Sequence, residues 1–326
     1  MKQLTISILF TTAIIILLFT QISLRDLYIL LKNINILWAL LGSAGYLLAF
    51  LFQALRFKWL LHSKDIPLLK LFGISILYNL SNMVLPSKLG ELSYPYLLNK
   101  FAGLNITEGL ASLIASRVYD LFIILTIFLF ASIGFQSFLK INLFLIILLA
   151  GLLISLPFLV FFYMSSLLML ASNVLERISK GFGTNNIKPF QWAQRKIHEM
   201  SEDFYAIKAR GTYFSVTLTS LATWIMVVWA FYSFLRGFGI EISFLKVVFG
   251  STVGLMTSSL PISGIGNWGT LEAGWVAGFL MVGLSKEKAI ATGLGVHILL
   301  LILCAVMGLM SWISLNLSAL LKAGRR

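Results

Sequence analysis

Charged residues are scarce in this chain: they make up 11% of its 326 residues, whereas 59% of the residues are hydrophobic. Soluble domains carry about 25% charged residues, so the composition excludes an ordinary soluble protein. Apolar runs long enough to cross a bilayer recur along the sequence. We therefore predict a polytopic, all-α membrane protein.

Cysteine and histidine are also rare. Cys304 is the single cysteine, which excludes a disulfide within the chain. The three histidines, His62, His198 and His297, are far apart and have no partner ligands at the spacing of a metal site. We expect neither a metal nor a cofactor.

Acidic residues are outnumbered, with 12 against 25 basic residues and a formal net charge of +13. The basic residues cluster beside apolar runs, which favours the positive-inside rule over a nucleic-acid partner. We therefore expect no nucleic acid, and we place both chain ends and residues 165–210 on the cytoplasmic side of a prokaryotic plasma membrane. Basic segments at that position also attract anionic lipids.

The predicted architecture is one transmembrane domain, 1–326, with about six full helices and two broken or re-entrant hairpins. The predicted spans are Leu4–Thr20, Ile36–Leu55, Thr107–Ser132, Ile141–Tyr163, Thr212–Leu235 and Ala289–Leu315. The predicted hairpins are Pro67–Leu85 with Glu91–Phe101, and Phe244–Leu260 with Thr270–Val282. Arg56 begins a basic loop after the second span. Residues 165–210 form a basic loop with an amphipathic helix over Phe190–Lys208.

The first hairpin is broken where the apolar sequence gives way to polar and helix-breaking residues. These residues are Asn79, Asn82, Pro86, Lys88, Gly90 and Glu91. Proline removes a backbone donor and stops a helix, and glycine relaxes the backbone. A break at membrane depth is tolerated where it is buried in protein or lines a water-filled cavity. The pattern therefore predicts a discontinuous membrane segment that handles a polar group.

A second break repeats this pattern about 180 residues later. Its residues are Pro261, Gly264, Gly266, Asn267 and Glu272. Downstream, fourteen positions separate Gly103 from Arg117, and the same number separate Gly283 from His297. We infer an internal repeat, 67–132 and 244–315, each a hairpin followed by a helix. The order of spans makes the hairpins enter from opposite sides, which is the inverted arrangement of alternating-access transporters.

Ionisable groups in apolar spans are candidates for function. Arg117 and Asp120 lie on one helix face, where they form either a structural ion pair or part of a substrate site. Glu91 and Glu272 each follow a glycine turn, so they are either helix caps or carboxylates that face a central cavity and bind protons. We expect these two carboxylates to approach each other, beside Arg117 and His297.

Other residues have two interpretations as well. Lys88 in its turn, and the Gly264–Gly269 turn, either bind an anion with backbone N–H groups or serve as turns alone. Asn79 and Asn82 either satisfy freed backbone groups or contact substrate, and His297 is either a titratable partner of Glu272 or a packed core histidine. The candidate substrate-binding residues are Arg56, Asn79, Asn82, Lys88, Glu91, Arg117, Asp120, Asn267, Glu272 and His297. The candidate structural breaks are Pro86, Gly90, Pro261, Gly264 and Gly266. In this set the site's three cations, Arg56, Lys88 and Arg117, balance its three carboxylates.

The combined motifs resemble the flippase-like family typified by the transmembrane region of lysylphosphatidylglycerol synthase. They are Asn79-x-x-Asn82, Leu85-Pro86-x-Lys88-x-Gly90-Glu91, Arg117-Val118-Tyr119-Asp120, and Pro261-x-x-Gly264-x-Gly266 with Glu272. The resemblance runs from about Arg56 to His297 and implies movement of aminoacylated, polyprenyl-linked or other anionic lipids between leaflets. Tyr94 and His297 stand where the family usually has basic residues. Lysine transfer is not implied.

The leading hypothesis is a lipid flippase that performs no chemistry of its own, with proton coupling left open. The second is an intramembrane enzyme acting on a lipid headgroup, although no Asp-rich metal motif or nucleophile–base pair supports it. The third is a lipid-binding accessory subunit of a glycosyltransferase or synthase. The expected partners are membrane lipids, anionic ones above all, and a homo-oligomer or a glycosyltransferase partner remains open.

Overall fold

A computed structural model describes residues 24–62, 65–85, 88–135, 142–181, 188–259 and 268–323. These residues form helices and connecting turns without a strand, which confirms the all-α membrane class. The predicted span Leu4–Thr20 lies outside the described residues. So do Pro86, Pro261, Gly264, Gly266 and Asn267.

The described residues contain eleven α-helices and one short 3-10 turn, Leu89–Leu92. The helices are α1 (Leu24–Lys32), α2 (Ile36–Leu60), α3 (Leu68–Val84), α4 (Ser93–Ala102), α5 (Ile106–Gly134), α6 (Leu143–Gly181), α7 (Lys188–Ala209), α8 (Tyr213–Gly237), α9 (Phe244–Ser258), α10 (Thr270–Met281) and α11 (Lys286–Ala323). Helices α2, α5, α8 and α11 are long and apolar enough to cross a membrane. Helices α3 and α9, the first arms of the two predicted hairpins, are shorter, with 17 and 15 residues.

Two predicted boundaries differ from the structure. Helix α2 continues to Leu60, so Arg56 lies inside a helix and is buried, whereas the sequence placed it in a basic loop. Helix α6 runs without interruption through Ser165 to Gly181, so the predicted loop at 165–210 begins as a helix. Hydropathy falls at polar side chains, but backbone hydrogen bonds continue through them, and this explains both differences.

Helix α6 has 39 residues. At about 1.5 Å per residue it is roughly 58 Å long, well beyond the ~30 Å hydrocarbon core. Its C-terminal part pairs with α7, because Ser201 Oγ donates to the Ser165 carbonyl at 2.9 Å and Lys208 Nζ lies 3.7 Å from the Phe162 ring centroid. Helix α7 agrees with the amphipathic helix predicted over Phe190–Lys208.

The helices of the two predicted repeats pack on each other reciprocally. Helices α2 and α8, which each precede one of these repeats, lie antiparallel. The Asn35 N–H donates to the Gly237 carbonyl at one end, and Arg56 contacts Ser220 near the other. Helix α3 of the first repeat packs on α11 of the second, and α9 of the second packs on α5 of the first. An inverted repeat produces this exchange, although the repeat boundaries themselves stay a prediction.

Glycines hold the two arms of the second hairpin, α9 and α10, close together. A Cβ on Gly278 would lie 2.3 Å from the Gly250 carbonyl oxygen, and one on Gly274 would lie 1.9 Å from Thr257 Oγ1. Backbone atoms cannot give way as a flexible side chain can. The small residues therefore set the separation of the arms, as in other membrane helix pairs.

We expect Gly278→Ala to lower the free energy of unfolding by about 1–3 kcal/mol, because the added methyl forces α9 and α10 apart. Thermal unfolding of the purified protein in detergent measures this change. Gly151→Ala is the matched control, since a Cβ there has nothing within 4 Å. Equal melting temperatures for both variants would show that the arms are not closely packed.

Candidate functional site

A cavity of about 410 Å³ lies where both predicted repeats meet. It is bordered by side chains from α2, α3, α5, α8 and α9, by the 3-10 turn, and by one residue each of α10 and α11. Seven of the ten candidate residues line it: Arg56, Asn79, Asn82, Lys88, Glu91, Arg117 and Asp120. Of the other three, Asn267 lies outside the described residues, and Glu272 and His297 lie elsewhere.

The centre of the charged wall is Asp120, which is only 5% exposed. Its Oδ1 is 2.5 Å from Arg56 Nη1 and accepts the indole N–H of Trp224 at 2.8 Å. Its Oδ2 is 3.3 Å from Arg117 Nη1 and 3.4 Å from Arg56 Nη2. The predicted Arg117–Asp120 pair is thus confirmed. The buried partner is nevertheless Arg56, which is 1% exposed and also reaches Ser220 Oγ at 3.3 Å.

Arg117 links Asp120 to the first hairpin. Its Nη2 is 3.2 Å from Glu91 Oε1 and also donates to the hydroxyl of Tyr78. The Nε atoms of Arg117 and Arg56 and the Oδ1 of Asn82 are buried and have no hydrogen-bond partner among the residues that the structure describes. Orphaned buried polar atoms are rare in proteins and point to a place where a ligand binds.

The tip of the first hairpin is shaped by Lys88 and Gly90. Lys88 has φ 61, a left-handed conformation that is uncommon for a residue other than glycine. Its Nζ donates to the Ser258 carbonyl at 2.5 Å, at the C-terminal end of α9, and so connects the two hairpins. A Cβ on Gly90 would lie 2.5 Å from Asn82 Cα, so glycine is needed for this close approach.

Helix α2 contributes a row of lining residues whose chemistry changes along one face. Tyr46 and Phe50 are followed by Gln53, whose Oε1 accepts from Asn79 Nδ2 at 2.6 Å, and then by Arg56. Gln53 and Trp224 were not among the residues predicted from the sequence to line the site. Gln53 is a polar residue inside an apolar span, a signal that could have identified it. Trp224 had no comparable signal.

Glu272 and His297 form a separate, sealed pair. They are 1% and 2% exposed, respectively, and the imidazole Nδ1 is hydrogen-bonded to Glu272 Oε1. The other carboxylate oxygen accepts the Gly269 N–H at 2.7 Å, so Glu272 also caps α10. The Trp268 ring stacks on the imidazole at 4.2 Å. The expectation that the pair meets Glu91 and Arg117 in one cavity is therefore not met.

This pair nevertheless occupies a position that corresponds to the charged wall. Arg117 follows the start of α5 by eleven residues, and His297 follows the start of α11 by the same number. Each contacts the glutamate of its own hairpin, Glu91 or Glu272. The histidine thus stands where the first repeat has an arginine.

A further polar cluster lies at the end of α2. The backbone N–H of His62 donates to Glu108 Oε1 at 2.8 Å, and the ring Nε2 of His62 is 3.0 Å from Asp203 Oδ1. The Arg210 guanidinium donates to the Leu61 carbonyl. The hydrogen bond with Asp203 raises the pKa of His62 despite partial burial. The cluster ties α7 to α2 and α5, away from the cavity.

Comparison with family models gives one match, to the family described as lysylphosphatidylglycerol synthase TM region, over residues 4–308. Neither a curated protein nor a solved structure matches the chain. The match covers nearly the whole sequence and includes each motif on which the resemblance was based. The chain belongs to the family of the lysylphosphatidylglycerol synthase transmembrane region, a family of lipid-related membrane proteins.

Proposed function

We propose that this protein is a flippase that moves an anionic or polyprenyl-linked lipid between the leaflets of the plasma membrane. The observation that carries the proposal is the charged cavity at the junction of the two hairpins. Lys88 from the first hairpin holds the end of α9 in the second, and both contribute to the lining. A site between repeats is where alternating access exposes substrate to each side in turn.

Leu121, an apolar residue of α5, lines the cavity and is 42% exposed. In this proposal a headgroup occupies the polar cavity while its chains remain in the hydrocarbon. Membrane lipids are accordingly the proposed partners, and the cytoplasmic placement of both chain ends belongs to the same proposal.

We place the proposed proton coupling at the Glu272–His297 pair, a carboxylate and an imidazole joined by a hydrogen bond. The pair caps α10, the second arm of the second hairpin. A change of its charge therefore acts directly on the hairpin that borders the cavity.

The test is movement of fluorescently labelled phosphatidylglycerol in proteoliposomes, followed by chemical quenching of the label in the outer leaflet. We expect the wild-type protein to move lipid faster than protein-free vesicles, with no change in lipid mass. Lys88→Met should slow movement by about tenfold, since one charge-assisted contact is lost. Lys288→Met is the control, because Lys288 is an exposed lysine remote from the cavity lining.

Other outcomes would favour the two alternatives. A new lipid mass would indicate an enzyme that modifies headgroups. Lipid binding without movement would indicate an accessory subunit of a glycosyltransferase or synthase. Either result contradicts the proposed flippase.

A further inference from the structure

We infer that the cavity selects a headgroup with one net negative charge, a phosphate that carries a neutral hydroxylated group, and discriminates against aminoacylated and ammonium headgroups. The inference names a substrate class for the proposed function and rests on it only in taking the cavity as the headgroup site. It follows from the charges, the pairing of the carboxylates and the order of side chains along α2.

The lining of the cavity carries a net charge of +1. The charged residues among the lining side chains are Arg56, Lys88, Arg117, Glu91 and Asp120. The predicted site had equal numbers of cations and carboxylates because it included Glu272, which lies outside the lining. The hairpin segments outside the described residues, 86–87 and 260–267, contain no charged residue. A single negative charge is therefore what neutralises this site.

Both carboxylates of the lining are already paired with arginine. Asp120 accepts hydrogen bonds from Arg56, Arg117 and Trp224. Glu91 lies 3.2 Å from Arg117. An ammonium group would therefore compete with a guanidinium group for either carboxylate. Displacing Arg56 would leave a buried, uncompensated charge, which is strongly unfavourable.

An anion meets no such obstacle. The amine of Lys88 donates to the Ser258 carbonyl, a neutral acceptor that a phosphate oxygen can replace. The Nε donors of Arg56 and Arg117 are buried, and no described residue accepts a hydrogen bond from them. When a phosphate binds here, the Lys88 amine exchanges a neutral acceptor for a charged one. Charge-assisted hydrogen bonds are roughly twice as strong as neutral ones.

The neutral part of the headgroup is indicated by the row of side chains on α2. One turn from Arg56 lies the Gln53–Asn79 amide pair, and beyond it the rings of Phe50 and Tyr46. Amides both donate and accept hydrogen bonds, as hydroxyl groups do, and aromatic faces pack on C–H groups. From Tyr46 to Arg56 the helix rises about 15 Å. This order suits a phosphate with an adjoining polyol or sugar.

The experiment measures binding of three soluble headgroups to the full-length protein in phosphatidylcholine nanodiscs, by calorimetry. The probes are glycerophosphoglycerol, with net charge about −1, glycerophosphocholine, near zero, and the lysyl ester of glycerophosphoglycerol, about +1, at neutral pH. We expect the anionic probe to bind at least about tenfold more tightly than the other two. Lys88→Met should weaken its binding by a similar factor, whereas Lys288→Met should not.

Three results would overturn the inference. These are equal or tighter binding of the lysyl ester or of glycerophosphocholine, no binding of any probe to the wild-type protein, and unchanged binding of the anionic probe by Lys88→Met. The proposed function is judged separately by lipid movement. Movement of labelled lipid without charge selection would contradict the inference but support the flippase. Charge selection without lipid movement would contradict the flippase but support the inference.

Discussion

Asp120→Ala will destabilise the protein by about 3–5 kcal/mol, as expected when one partner of a buried ion pair is removed. Asp120 is the carboxylate on which Arg56 depends, and Arg56 is 1% exposed in the middle of the helix bundle. Without Asp120 the guanidinium keeps only the Ser220 hydroxyl among its described side-chain hydrogen-bond partners. Denaturation of the purified protein in detergent measures the loss.

The double variant Arg56→Ala, Asp120→Ala should be less damaging than Asp120→Ala alone, because it removes the buried charge together with its partner. Arg117→Ala, Asp120→Ala should give no such relief, since Arg56 still lacks a carboxylate. These two cycles distinguish the buried Arg56–Asp120 pair from the Arg117–Asp120 pair, which the sequence predicts and the structure also contains. Additive effects in the Arg56–Asp120 cycle would contradict the buried pair.

A matched surface pair provides the control. Lys58 and Asp65 are 3.3 Å apart, with side chains that are 41% and 87% exposed. Solvent screens such pairs, and their coupling is about 0–1 kcal/mol. A comparable coupling for Arg56 and Asp120 would mean that water reaches both groups.

The ends of α3 and α9 at the two predicted breaks could be predicted from the sequence, because polar residues are conspicuous in an apolar membrane segment. Proline, glycine and glutamate stand out in an apolar run, and their recurrence with the same fourteen-residue spacing to Arg117 and His297 indicated which positions correspond. The structure confirms that each of these basic residues contacts its own hairpin's glutamate. Local spacing was sufficient here because each pair belongs to one short segment.

Long-range pairing was not predictable in the same way. Asp120 had a neighbour on its own helix, Arg117, and a single sequence gives no reason to prefer Arg56, which is 64 positions away. The separation of Glu272 from the cavity could not be predicted for a related reason. A glutamate after a glycine turn can cap its helix or face a cavity, and only three-dimensional packing decides between these roles.

Lipid movement by the wild-type protein should depend on pH, and this dependence should disappear in His297→Arg. Arginine stays charged at all working pH values, so the substitution gives the second repeat the permanent cation that Arg117 supplies in the first. The ion pairs of Glu272 and His297 within the described residues are with each other, and the adjoining segment 260–267 contains no titratable residue. The charged residues on the elements around them are Arg25, Asp26 and Lys32 on α1, Lys246 on α9, and Lys286, Glu287 and Lys288 at the start of α11.

Glu272→Gln separates the charge of this residue from its role as a cap. The glutamine oxygen can still accept the Gly269 N–H, so the local cost should stay below the ~1 kcal/mol that a lost cap incurs. We expect this variant to fold, to move lipid slowly and to show no pH dependence. His198 and Glu202 are the control: they form a histidine–glutamate pair at 3.4 Å with side chains 55% and 69% exposed. Substituting them should leave the pH profile unchanged. If Glu272→Gln and His297→Arg both kept the wild-type rate and profile, the pair would be a structural cap, and any proton coupling would have to lie elsewhere.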